Sequence, residues 1–277
     1  MYKTLISASE LAAGLQREAI CVRILDCRGR LSDPDFGAVS YAERHIPGAF
    51  HADLDRDFAG APGAGGRHPL PEPQALAAKL RAWGVNDDDQ VVVYDDAGGA
   101  YAARAWWCLR WLGHEATALL DGGLSSWPGP WSDAVANSNP GNFSIRHCLT
   151  RTIDAPKLVA QLVELQLIDA RTRQRFDGEQ EPIDPVAGHI PGARCLPFQG
   201  NLDGDGHFKP PEILKSRFSG AKDDVPGRKA DVVCYCGSGV TAAHNVLAMR
   251  IAGLPEPVLY PGSWSEWIVD PARPRAP

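Results

Sequence analysis

The chain repeats itself at an interval of about 140 residues, and such internal symmetry fixes the architecture before any local pattern does. Ile24-Leu25-Asp26-Cys27-Arg28 returns as Leu167-Ile168-Asp169-Ala170-Arg171, and Arg44-His45-Ile46-Pro47-Gly48-Ala49 returns as Gly188-His189-Ile190-Pro191-Gly192-Ala193. Val91-Val92-Val93-Tyr94-Asp95 then matches Val232-Val233-Cys234-Tyr235-Cys236, and Asp121-Gly122-Gly123 with Trp127 matches Pro261-Gly262-Ser263 with Trp267. The order of the four segments is the same in both halves, so duplication of one unit is the simplest explanation. At 277 residues the chain is also longer than one domain of ordinary size. A stretch rich in Pro, Gly, Ser and Asn separates the copies, as a linker would. The reading is an N-terminal domain over 1–131, a linker over 132–148 and a C-terminal domain over 149–277.

Each copy opens with a helix start. Ser7-x-x-Glu10 has the form of a capping box, and Asp154 followed by Pro156 has the form of a capped first turn. Short apolar runs at 22–26, 90–94, 165–169 and 231–235 are too short for helices and read as buried strands, whereas 103–112 and 242–251 read as helices. Strand alternating with helix predicts an α/β fold, two tandem copies of a mainly parallel sheet flanked by helices.

Composition excludes several classes of function. With 44% hydrophobic and 22% charged residues the chain is an ordinary globular one. A net charge of −6 gives no basic face for nucleic acid or anionic lipid, so an anionic small molecule would need local cations. No apolar run reaches membrane-spanning length and the first residues lack a signal-peptide core, so a cytoplasmic location is expected. The cysteines stand at 21, 27, 108, 148, 195, 234 and 236, an odd set with neither a C-x-x-C pair nor zinc spacing. Neither a disulfide framework nor a metal is expected, and no Walker A or dinucleotide glycine motif precedes a helix, so no organic cofactor is expected either.

The chemistry concentrates at Cys236. In Tyr235-Cys236-Gly237-Ser238-Gly239-Val240-Thr241 a buried strand runs into a glycine loop and then a helix. Gly237 and Gly239 let the backbone curl so that several N–H groups converge, and the helix adds the positive end of its dipole. Such a cradle stabilises an anion, here a thiolate nucleophile and then the terminal sulfur of a persulfide. Cys234, two residues earlier on the strand, reads as core packing.

The Cys236 loop, the paired His-Ile-Pro-Gly-Ala and Asp-x-Arg segments, and Gly262-Ser263-Trp264-Ser265-Glu266-Trp267 together resemble the tandem rhodanese family over nearly the whole chain. The loop is most similar to that of 3-mercaptopyruvate sulfurtransferases, whereas thiosulfate sulfurtransferases place basic residues after the cysteine. The resemblance implies two rhodanese-like domains, the first catalytically silent with Asp95 in place of the cysteine. It implies that Arg175 binds the donor's anionic group, that Gly237, Gly239, Val240 and Thr241 line the substrate loop, and that Ser238 works with a histidine and an aspartate of the first copy, which would be His45 and Asp33 or Asp35. One departure is Ile183 after Glu181-Pro182, where the family carries a second arginine. His189 and the tryptophans at 127, 264 and 267 read as structural.

The implied activity is transfer of a sulfane sulfur from 3-mercaptopyruvate or thiosulfate, through a Cys236 persulfide, to a thiol or cyanide acceptor. The alternatives are thiosulfate:cyanide transfer as the main activity, or a non-catalytic regulatory module. A cysteine phosphatase is excluded because Ala242 stands where the Cys-x5-Arg signature needs a guanidinium. A thioredoxin-like reductant is a candidate partner, nucleic acid and membrane are not, and the chain is expected to be a monomer.

Overall fold

The computed structural model describes residues 1–16, 21–219 and 231–277. They form two compact units. The first comprises Met1–Gly60, Pro71–Leu149 and Gly204–His207; the second comprises Ala61–Leu70, Thr150–Asp203 and Phe208–Pro277.

In the first unit the elements run β1 (Leu5–Ile6), α1 (Ala8–Leu15), β2 (Val22–Asp26), α2 (Phe36–Glu43), β3 (Ala49–His51), α3 (Leu54–Asp57), α4 (Pro73–Ala82), β4 (Gln90–Tyr94), α5 (Ala102–Trp111) and β5 (Thr117–Leu120). The strands form a parallel sheet in the order β1-β5-β4-β2-β3. In the second unit α6 (Ala155–Ala160), β6 (Gln166–Asp169), α7 (Arg173–Phe176), β7 (Arg194–Cys195), α8 (Pro211–Ser219), β8 (Val232–Tyr235), α9 (Val240–Ile251), β9 (Val258–Leu259) and α10 (Ser263–Trp267) follow, with a parallel sheet in the order β7-β6-β8-β9. Strands β4 and β8 are buried throughout, as strands covered by helices on both faces must be. No helix among the described residues is long and apolar enough to cross a membrane.

Local chemistry explains where the elements begin. Ser7 caps α1 by accepting from the Glu10 N–H while the Glu10 carboxylate accepts from the Ser7 N–H, and Asp154 accepts from the Lys157 N–H at the start of α6. Helix α9 starts two residues earlier than its hydrophobic pattern predicts, because Gly239 at φ 77° turns the chain straight from the Cys236 loop into helix.

The repeated motifs are one buried polar network built twice. Tyr94 pairs in register with Asp26 and Tyr235 with Asp169, which brings the ends of neighbouring strands together. Arg28 donates to the Asp26 carboxylate, Nη2 at 2.6 Å, and Arg171 does the same to Asp169 at 2.7 Å. The Tyr94 and Tyr235 hydroxyls accept from the amides of Ile46 and Ile190 at 3.3 and 3.2 Å. Gly48 and Gly192, at φ 78° and 80°, supply the left-handed turn that follows each Ile-Pro pair. Buried charges demand such pairing, which is why the motif residues recur together.

Trp127 lies in the core of the first unit, and Trp264 and Trp267 in that of the second. Their indole N–H groups donate to the carbonyls of Pro130, Val186 and Pro274, consistent with structural roles.

Candidate active site

Cys236 follows β8 at the carboxyl end of a parallel sheet and is only 2% exposed. Its N–H donates to Ser263 Oγ at 3.0 Å, and its carbonyl accepts from the Trp264 N–H at 3.0 Å. The Gly237 carbonyl accepts from the Ser265 N–H at 2.8 Å, so the segment at the head of α10 holds the loop from behind. Ser263 takes φ 54°, a left-handed conformation unusual for a residue with a side chain, and its hydroxyl donates on to the Tyr260 carbonyl at 2.9 Å. The strain is matched by that pair of hydrogen bonds, which pins the cysteine's backbone.

The Gly239 N–H points at Cys236 Sγ, 3.1 Å away. Glycine is required there twice over, by φ +77° and because a β-carbon would stand 2.3 Å from the Pro261 carbonyl oxygen. Val240, buried, begins α9, and Thr241 follows it half-buried. Cys234 is fully buried, and burial together with the neighbouring Cys236 pushes its thiol far above the ordinary range, so it stays a protonated core residue.

The first unit shows what the same strand-loop-helix turn does for an anion. Asp95, in the place of Cys236, accepts four backbone hydrogen bonds: Oδ1 from Ala97 and Gly99 at 2.8 Å each, Oδ2 from Tyr101 at 2.8 Å and Ala102 at 2.9 Å. A carboxylate fills its own cradle, leaving no thiol to react.

Around Cys236 the second unit gathers a hydroxyl–imidazole pair and two guanidiniums. Ser238 Oγ lies 2.7 Å from His68 Nδ1, and both residues are buried. A β-carbon on Gly237 would sit 3.1 Å from Arg67 Nη2 and 3.4 and 3.5 Å from the two terminal nitrogens of Arg175, so both arginines face the loop. Arg175 Nε donates to both oxygens of Glu181 at 3.0 Å, and its Nη2 donates to Asp184 Oδ2 at 2.9 Å. Arg67 Nη1 donates to the other oxygen of Asp184 at 2.6 Å. Burial raises the Glu181 pKa, but Arg175 and the amides of Asp184 and Ile183 outweigh it and hold the carboxyl below its ordinary range.

Of the residues expected from sequence, Cys236, Gly237, Ser238, Gly239 and Arg175 come together here. His45 lies in the first unit, where its ring nitrogens face the carbonyls of Tyr41 at 2.7 Å and Ala134 at 3.1 Å and the ring stacks on Tyr41 at 3.9 Å. His189 repeats the arrangement, with Nδ1 on the Phe176 carbonyl at 2.9 Å and its ring on Phe176 at 3.7 Å. Both His-Ile-Pro-Gly histidines therefore brace a turn. Asp33 and Asp35 are exposed loop residues, Asp33 Oδ1 accepting from the Asp35 N–H at 3.2 Å. Arg67 and His68 were missed because the loop before α4 resembles its counterpart before α8, Gly206-His207-Phe208-Lys209-Pro210, only loosely; its one signal was a basic pair inside a glycine- and proline-rich loop of an acidic chain. Among the described residues no cluster of three His, Cys, Asp or Glu side chains suits a metal ion.

Comparison with known proteins identifies the family. The profile of the rhodanese-like domain matches residues 7–129 and again 152–270. A Pseudomonas aeruginosa protein named "Probable 3-mercaptopyruvate sulfurtransferase" is 53% identical, over 98% of this chain and 97% of its own. SseB of Mycobacterium tuberculosis, which bears a thiosulfate sulfurtransferase name, is 41% identical over 98% and 96%. The crystal structure of SseA from Escherichia coli, described among 3-mercaptopyruvate sulfotransferases, superposes with a TM-score of 0.80 at 30% identity, covering 94% of this chain and 98% of that one.

Proposed function

The chain belongs to the rhodanese family, and from that membership we propose that it is a sulfurtransferase in which Cys236 accepts sulfur from 3-mercaptopyruvate and passes it on as a persulfide. The observation that carries the reading is the buried Cys236 thiol under the Gly239 N–H, in a loop that also holds Ser238 against His68 and meets two guanidiniums at Gly237. The Cys236 thiolate attacks the donor sulfur. The carbon–sulfur bond breaks, its electron pair passes into the adjacent carbonyl as an enolate, and the sulfur stays on Cys236. Ser238, held by His68, is placed to donate a hydrogen bond to the developing enolate oxygen, and Arg175 to hold the carboxylate. The enolate takes a proton and leaves as the keto acid. A thiolate acceptor or cyanide then attacks the outer sulfur, the sulfur–sulfur bond breaks, and the Cys236 thiolate returns.

The repeat assigns 149–277 as the copy bearing the cysteine and 1–131 as the silent copy, with the 61–70 segment of the latter supplying His68 and Arg67. A cytoplasmic monomer discharging its sulfur to small thiols or a thioredoxin-like reductant completes the reading. A second reading, thiosulfate as the main donor, draws on Arg67, which puts a second cation beside the loop, and on the name of the mycobacterial relative. Comparison of kcat/KM for the two donors decides: a higher value for 3-mercaptopyruvate supports the first reading, a higher value for thiosulfate the second.

A further inference from the structure

Asp184 is a carboxylate held between two arginines. Its side chain is 1% exposed, Oδ1 takes Arg67 and Oδ2 takes Arg175, while those guanidiniums remain 25% and 15% exposed. Arg175 is also neutralised by Glu181, to which Nη2 lies 2.7 Å away. Arg67 is not so saturated: its Nε is buried without a hydrogen-bond partner, although another of its nitrogens is the atom nearest the Gly237 position. A buried N–H of a charged group left without an acceptor is costly, and the guanidinium that carries it reaches the Cys236 loop through Nη2.

We propose that Arg67 is a donor-binding residue alongside Arg175, and that Asp184 between them removes the advantage a bare arginine pair would give a dianionic donor over a singly charged one. The inference rests on the reading that Cys236 takes sulfur from an anionic donor. Ile183 occupies the position after Glu181-Pro182 where an arginine was expected, and the second guanidinium reaches the loop from the 61–70 segment. Coulomb energy scales with the product of charges, so every charge of the site acts twice as strongly on a dianion as on a monoanion. Two bare guanidiniums would favour the dianion; Asp184 and Glu181 beside them cancel that preference.

The test uses the intact enzyme with 3-mercaptopyruvate and with thiosulfate, measuring kcat and KM separately. Asp184→Asn is expected to raise the thiosulfate-to-mercaptopyruvate ratio of kcat/KM about tenfold, as removal of one nearby unit charge implies. Arg67→Gln is expected to raise KM for both donors about tenfold while kcat changes less than about threefold, with Arg67→Lys restoring part of the loss. Arg67 is partly exposed, so its variants carry the test should Asp184→Asn fold poorly. The proposal is overturned if Asp184→Asn lowers both donors alike, which would make Asp184 a scaffold for the arginines, or if Arg67→Gln leaves both KM values unchanged or acts on kcat alone through its neighbour His68. Failure of the underlying reading looks different: wild-type Cys236 would take up no sulfur from either donor.

Discussion

Ser238 and His68 stand 170 residues apart in sequence, yet their side chains meet at 2.7 Å beside Cys236. The pair turns a loop hydroxyl into an oriented donor. An isolated serine rotates freely, whereas one whose oxygen accepts from the Nδ1–H tautomer of a buried imidazole is held in place with its own proton left to donate, and catalytic electrostatics depend on such preorganisation.

His68→Ala and Ser238→Ala should therefore lower kcat with 3-mercaptopyruvate by about 10²-fold, comparable to losing one oxyanion donor, and, because both side chains are buried, lower the melting temperature as well. His45→Ala should cost stability alone. It removes a buried ring stacked on Tyr41, costing about 2–4 kcal/mol of stability with the kcat of the remaining folded enzyme intact. Paired kinetics and thermal unfolding separate the two histidines; a kcat loss confined to His45→Ala would reverse the assignment.

Cys236→Ser should abolish turnover, and mass spectrometry of wild-type protein treated with donor should find one added sulfur atom on Cys236 and none on Cys234. The buried Cys234 thiol is held protonated, so it is no competing nucleophile. Sulfur on Cys234, or normal turnover by Cys236→Ser, would refute the mechanism.

Arg175→Ala should weaken donor use by about 2–4 kcal/mol in kcat/KM terms. It also removes one of two guanidiniums from each of two buried carboxylates, Glu181 keeping Arg171 and Asp184 keeping Arg67, so a stability loss of about 1–3 kcal/mol should accompany it. Arg175→Lys keeps the charge without the fork and should retain more stability than activity. An unchanged kcat/KM with both donors for either variant would remove Arg175 from the site.

Two loop glycines should respond differently to alanine. At Gly239 the new methyl meets the Pro261 carbonyl at 2.3 Å under a left-handed φ, so Gly239→Ala should destabilise the protein and block persulfide formation. At Gly237 the nearest atoms are the ends of two arginines, beginning at 3.1 Å. Those ends can move, so Gly237→Ala should keep its melting temperature and lose donor affinity. Equal melting temperatures for the two variants would contradict the contrast.

Glu181 should make the protein acid-sensitive. Its folded pKa lies below the ordinary carboxylate value, because Arg175 and two amides outweigh the opposing effect of burial. The unfolded chain therefore binds the proton more readily, and the stabilisation is present above the unfolded pKa and lost as pH falls through the folded one. Unfolding free energies of wild type and Glu181→Gln, followed from neutral pH downward, should converge as the acid limb is descended. Parallel curves would show that Glu181 contributes nothing to that limb.

What the sequence determined by itself was whatever is local or periodic. Repeated Asp-x-Arg and His-Ile-Pro-Gly-Ala segments disclosed two α/β units, since a buried charge and its partners must be duplicated together. The strand-glycine-helix pattern marked Cys236, because only a few residues are needed to converge N–H groups on one atom. The histidine partner was another matter: His45 belonged to the most conspicuous motif, yet its ring is consumed by the Tyr41 and Ala134 carbonyls. His68, Arg67 and the Asp184 bridge were decided by tertiary structure alone. Arg67 and His68 lie in a connecting segment between the repeated motifs, whose course is set by packing of the second unit rather than by propensity or periodicity, and Asp184 becomes a bridge only once that packing brings Arg67 within 2.6 Å of it.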